Sequence, residues 1–154
     1  MATSTLLQKI YAADESGVGE DSVLDSNRRQ VETFICSESI DDGDIVCLDI
    51  SKSTDGEKML YVKKANTSSG ATTLTIGVAD QSTGGADETV RVVIKGFKKD
   101  ANVATGGAQG DRIVGSSTAG RGTQYAASST QAILGYQLEA ASANKADVYI
   151  IKQF

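Results

Sequence analysis

A chain of 154 residues without a single histidine cannot build the Ser-His or Cys-His pair on which most nucleophilic and general-base catalysis depends. Ser116, Ser117, Ser128 and Ser129 sit among small polar residues and read as turn positions. A Ser-Lys dyad has no spacing that asks for it. The carboxylates Glu38, Asp41, Asp42 and Asp44 gather in one short stretch, where a hard cation would want oxygen ligands. The alternating acidic spacing and the distal glutamate of a calcium loop are both missing, so the expectation is a solvated turn between strands. Gly106-Gly107-Ala108-Gln109-Gly110 lacks the Gly-Lys-Ser/Thr of a phosphate loop, and Gly17 and Gly19 lack the third glycine of a dinucleotide fingerprint. Asn66-Thr67-Ser68 matches a glycosylation acceptor but reads as a loop coincidence. These residues predict a non-enzyme with no catalytic group, no cofactor and no metal.

Two cysteines, Cys36 and Cys47, neither make a disulfide framework nor have zinc spacing. A hairpin of 34–37 and 45–50 around the acidic turn would set them opposite one another, as two half-buried thiols.

The elements that would carry these residues read as all-β, a small barrel or sandwich. There is no Pro and no Trp but 16 Gly, and short runs rich in β-branched residues alternate with Gly, Ser, Thr, Asn and Asp clusters. Strands are expected near 32–37, 44–50, 58–64, 72–79, 88–97, 111–115, 122–126, 131–140 and 146–153. In 88–97, Val90, Val92 and Ile94 alternate with Arg91, Val93 and Lys95, which predicts one buried face and one mostly wet face. Residues 1–31 differ: an apolar patch of Leu6, Leu7, Ile10 and Tyr11 precedes a polar stretch, and a turn or two of helix around 22–30 is the most structure expected there. The domain division is therefore an N-terminal arm, 1–31, and a β domain, 32–154.

Three blocks repeat in order. Gly43-Asp44-Ile45-Val46 is echoed by Gly110-Asp111-Arg112-Ile113-Val114, Thr75-Ile76-Gly77-Val78 by Ala132-Ile133-Leu134-Gly135-Tyr136, and Val92-Val93-Ile94-Lys95-Gly96-Phe97 by Tyr149-Ile150-Ile151-Lys152-Gln153-Phe154. The reading is a diverged duplication whose first copy carries about ten extra residues within 51–64. Chance likeness among short strands is the alternative. Asp55-Gly56 in that insert reads as a type I′ hairpin turn, Asp44 and Asp111 as residues shaping equivalent strand starts, and two such units closing on each other as a barrel without edges.

Twenty acidic and 15 basic residues leave a formal charge of −5, a mixed surface that disfavours nucleic acid. The basic residues Arg91, Lys95, Lys98, Lys99 and Arg112 read as a solvated strand face. Aromatic residues, Tyr 5 and Phe 3, are too few for base-stacking platforms. No apolar run reaches the roughly 18–20 residues needed to span a bilayer, and no signal peptide is visible, so neither a membrane nor secretion is expected, and synthesis in a host cytoplasm is.

Taken together, Val90–Phe97, Gly110–Arg121, Ala132–Ala141 and Ala146–Ile151 resemble, in content and order, the small β-barrel decoration (cement) proteins of tailed bacteriophages, over roughly residues 40–154. The resemblance implies a homotrimer on the outer surface of an icosahedral head, with the major capsid protein as partner. That family has no catalytic residues to carry over. The acidic N-terminal segment and the insert near 51–64 depart from it, and Leu6, Leu7, Ile10 and Tyr11 are the candidate capsid contacts. The competing readings are a head-fibre base, a tail or receptor-binding protein, which should show exposed aromatics, and an interaction module with no virion role.

Overall fold

The computed structural model describes residues 29–69, 74–127 and 131–151. Through them run nine strands, each overlapping one of the nine expected runs: β1 (Gln30–Cys36), β2 (Ile45–Leu48), β3 (Tyr61–Lys64), β4 (Thr75–Ala79), β5 (Thr89–Asn102), β6 (Arg112–Gly115), β7 (Gly122–Gln124), β8 (Gly135–Gln137) and β9 (Lys145–Ile150). One short helix, α1 (Asp55–Leu60), precedes β3.

The helix replaces the expected hairpin turn at Asp55-Gly56. A type I′ turn needs left-handed backbone at both central residues, and Gly56 is not among the positive-φ residues. Thr54 and Glu57 instead form a capping box: the Glu57 amide donates to Thr54 Oγ1 at 3.2 Å and the Thr54 amide to Glu57 Oε2 at 3.1 Å. Two donors that a helix start leaves orphaned are thereby satisfied, and the strand is confined to the residues after 60.

β1 pairs in parallel with β3 and antiparallel with β5, and β3, β2, β4 and β5 follow in antiparallel order, so five strands close on themselves. Phe34, Cys36, Val46, Val62, Ile76, Val90, Val92 and Ile94 point into this barrel and are buried. β5 then continues past Gly96, whose φ of +98° bends it. Its second half pairs antiparallel with β9, and β8, β6 and β7 follow. Val103, just beyond β5, bridges in parallel to Gly122. A second, smaller ring thus closes in the same order as the first, and the second half of β5 does for it what β1 does for the first. The long strand ends one ring and begins the other.

The duplication is visible in the backbone. Gly43 and Gly110 both take positive φ, +89° and +90°. The Gly43 amide donates to the Ala79 carbonyl and the Ala79 amide to that of Asp44, while Gly110 and Gln137, and Gln137 and Asp111, do the same. Asp44 Oδ2 accepts the Asp41 amide at 3.0 Å and Asp111 Oδ2 the Ala108 amide at 2.8 Å, so both aspartates shape strand starts as expected. Ile45 faces Val78 and Val46 faces Gly77, just as Arg112 faces Tyr136 and Ile113 faces Gly135. Gly77 and Gly135 are matched by necessity: a Cβ on either would run into a carbonyl oxygen of the next strand, at Val93 or Tyr149. Between the last two strands of each unit the register differs by one residue. The two units do not close on each other into one barrel, as the sequence suggested; each closes on its own and they share β5.

They also share a core. Ile45, Val78 and Val93 point out of the first ring and pack with Ala101, Val103, Ile113, Leu134, Val148 and Ile150 inside the second. β2, β4 and this part of β5 are therefore covered on both faces, and β4 is buried throughout. Val93 corrects the expected wet face of β5: Arg91 and Lys95 are exposed, but Val93 is fully buried because the second ring covers it. Full burial of a Val or Ile side chain stabilises by about 1.5–3 kcal/mol, so this shared layer couples the stability of the two rings.

Candidate functional site

Leu6, Leu7, Ile10 and Tyr11, the expected capsid contacts, lie outside the described residues, as do Ser128, Ser129 and residues 152–154. The expected helix around 22–30 also falls outside them except at its end, where Gln30 opens β1.

The cysteines are not opposite one another. β3 lies between β1 and β2, so Cys36 faces Val62 while Cys47 faces Lys63. The two thiols point to different cores, both are free, and both are fully rather than half buried. Burial raises both pKa values, that of Cys47 to about 11, which leaves neither thiol reactive at neutral pH.

The charged residues are more engaged than a solvated face would make them. Lys98, expected in water, is buried, and its ammonium meets Asp42 at 3.0 Å and Asp80 at 3.6 Å. Arg29 and Arg91 also pair with Asp80. In the acidic turn, Asp44 is buried, pairs with Lys64 at 3.4 Å and accepts from Asn102 Nδ2 at 3.1 Å. Asn102 in turn accepts from Arg121 Nε at 3.2 Å, so this chain of polar contacts ties β2 to the β6–β7 turn across the junction of the rings. Burial works against the charge of Lys64, but Asp44 and Asp41 outweigh it and raise its pKa. Asp49 is buried too. Burial alone would raise its pKa, but hydrogen bonds from Ser37 Oγ at 2.6 Å and Ser51 Oγ at 2.7 Å, with Lys63 at 3.0 Å, hold the carboxyl well below the usual range. Among the described residues, no group of three His, Cys, Asp or Glu side chains is placed to hold a metal ion. These networks are structural: each charge faces a partner of the same chain, and none converges on an open cleft.

What remains open is surface. On the outer side of the second ring, Phe97 faces Tyr149, Tyr149 faces Tyr136, and Tyr136 faces Arg112, one residue from each of four neighbouring strands. Tyr125, whose amide donates to the Arg112 carbonyl, flanks the end of the row. Tyr136 and Tyr149 are each 38% exposed and Leu138 beside them 40%. Half of the chain's aromatic residues, Tyr 5 and Phe 3 in all, thus line one row. The sequence reading, which counted the aromatics as too few for base stacking and few for a receptor surface, did not place them in one row. The signal was available in Tyr136 and Tyr149, outward positions of two alternating strands. Ile50, Met59, Leu60 and Leu74 are also more than 40% exposed, Met59 and Leu60 on the inserted helix α1, which has no buried residue.

No protein-family model matches this chain, and no curated protein matches it in sequence. Among solved structures, it is similar to the head fiber gp8.5 N base in bacteriophage phi29, with a TM-score of 0.56 at 11% sequence identity, covering 80% of this chain and 95% of that one. At that identity the likeness is one of fold, and it extends over both rings.

Proposed function

We propose that this chain is a non-enzymatic structural protein of a bacteriophage virion, bound to the outer surface of the head. The observation that carries the reading is the shared fold with a phage head fiber base. The sequence resemblance to decoration proteins, carried by Val90–Phe97 on β5 and by three blocks of the second ring, supports it independently. So does the fate of the ionisable groups, which pair with one another within the fold and, through Asp44, Asn102 and Arg121, across the junction of the rings.

Its finer form is a cement role, as a homotrimer on the major capsid protein, with the N-terminal segment ahead of β1 and its patch of Leu6, Leu7, Ile10 and Tyr11 as the attachment. A protein that binds the assembled shell and not its free subunits stabilises the shell by mass action. A trimer that engages several capsid subunits at once gains further from effective concentration. The head-fibre base is the second reading, favoured because the fold neighbour is itself the base of a head fiber; it predicts capsid binding without capsid reinforcement.

Co-sedimentation with expanded heads lacking the protein tests the shared claim, and the melting temperature of the loaded heads separates the two forms. Saturable binding with a raised melting temperature is expected for cement. Saturable binding with an unchanged one would assign a fibre base, and no binding would remove both. Deleting 1–28 should weaken binding while leaving both rings folded.

A further inference from the structure

We infer that Arg29, Asp80 and Lys98 clamp the root of the N-terminal segment onto the junction of the two rings, so that a pull on that segment loads both rings and does not peel β1 away; the inference rests on the proposal that the segment attaches the chain to a head.

The start of β1 is otherwise held weakly. β1 meets β3 only at Ile35 and Cys36, so among the described strands Gln30 to Thr33 pair with β5 alone, and the register shifts between Gln30 and Val31. None of these four side chains is buried, and the first core residue of the strand is Phe34. Opening such a stretch uncovers no core and breaks the hydrogen bonds of one flank, a local event far cheaper than unfolding the domain. Strand ends of this kind fray. Yet Arg29, one residue further out, has a side chain only 10% exposed. Burial beyond a solvent-facing stretch is the reverse of what a loose terminus shows. The hold matters because β1 closes the first ring against β5.

What grips Arg29 belongs to both rings. Its guanidinium pairs with Asp80, whose side chain is 17% exposed. Asp80 directly follows β4, and its amide donates to the Arg91 carbonyl at 2.8 Å, which fixes the carboxylate to the first ring. Asp80 Oδ1 also meets Lys98 Nζ at 3.6 Å, and Lys98, 7% exposed, lies in the half of β5 that pairs with β9. Lys98 in turn meets Asp42, in the turn before β2, at 3.0 Å, and Arg91 completes the set around Asp80 at 3.7 Å. The same pair on an open surface would contribute little. Drawn out of water, it parts reluctantly, because separation leaves a charge without its counter-ion.

Trypsin reads the clamp at one bond. With Arg28→Gln, Arg29 is the last basic residue ahead of β1, and cleavage after it requires its side chain to leave Asp80. The native full chain carrying Arg28→Gln should resist cleavage there. Adding Asp80→Asn should speed the cut at least about tenfold, because cleavage follows the population of the open form. Adding Leu134→Ala instead, a core loss in the second ring, should leave the rate within about twofold, because the opening is local. An unchanged rate with Asp80→Asn, or an equal rise with Leu134→Ala, overturns the inference. Hydrogen exchange of Arg29→Gln gives a second reading. Faster exchange confined to the amides of Val31 to Thr33 supports the clamp; faster exchange throughout both rings makes the pair a general stabiliser and overturns it. Co-sedimentation of heads with the chain lacking 1–28 reads the attachment separately: lost binding supports the load path, and retained binding overturns it whatever trypsin reports.

Discussion

Gly43 and Gly110 hold the same left-handed backbone, φ +89° and +90°, just before β2 and β6, yet their surroundings differ. A Cβ at Gly43 would lie 2.6 Å from the Asp100 carbonyl oxygen and 3.0 Å from Lys145 Nζ, whereas one at Gly110 meets nothing within 4 Å. The first turn is wedged against the start of the second ring, and the second turn faces open space.

The two glycines should therefore tolerate alanine unequally. Gly110→Ala bears only the backbone term, about 1–2 kcal/mol, while Gly43→Ala adds a backbone collision and should cost clearly more. Urea denaturation of the two variants checks this, and equal losses would contradict it.

Asp49 makes stability depend on acid. Its folded pKa is depressed, so the unfolded chain binds more protons through this group as pH falls. Its contribution is complete above the unfolded carboxylate value, near about 4, and is lost as pH drops further toward the folded one. Asp49→Asn should flatten the loss of stability between pH 4 and 2 relative to wild type. It should also cost about 1–3 kcal/mol at neutral pH, from the weakened bonds to Ser37 and Ser51 and the unpaired Lys63. Denaturant melts across that pH range provide the measurement.

The cysteines should be silent in the native state. Burial keeps Cys36 and Cys47 protonated, and they face different cores. A maleimide at pH 8 should label neither until the chain unfolds, and reductant should not change the melting temperature. Native labelling or a redox-dependent melt would refute this placement.

Val93 should report coupling between the rings. Val93→Ala removes buried methyl groups from the shared layer and should cost about 1–3 kcal/mol. The neighbouring Arg91→Ala, at an exposed position, should lie within about 0.5 kcal/mol of wild type. Hydrogen exchange should show that Val93→Ala lowers protection in β6 and β8 of the second ring as well as in β4.

The sequence by itself determined where the chain extends and turns. Period-two runs punctuated by Gly, Asn and Asp are local signals, and all nine strands fell where they pointed. It also determined the duplication, because Gly43 and Gly110, and Gly77 and Gly135, answer to backbone constraints that only glycine meets. Even the failure at Asp55-Gly56 was local, since the capping box of Thr54 and Glu57 was present in the sequence and was overlooked.

Only the tertiary structure decided which strand lies beside which and what covers each outward face. Alternation states that Val93 and Tyr149 point away from a ring; it does not state that a second ring covers the one and leaves the other in water. Nor does it show that β3 slips between β1 and β2 and parts Cys36 from Cys47, or that β5 serves two rings in turn. Strand pairing and face burial are chosen by contacts between residues far apart in the chain, where hydrophobic area and closed edges outweigh local preference.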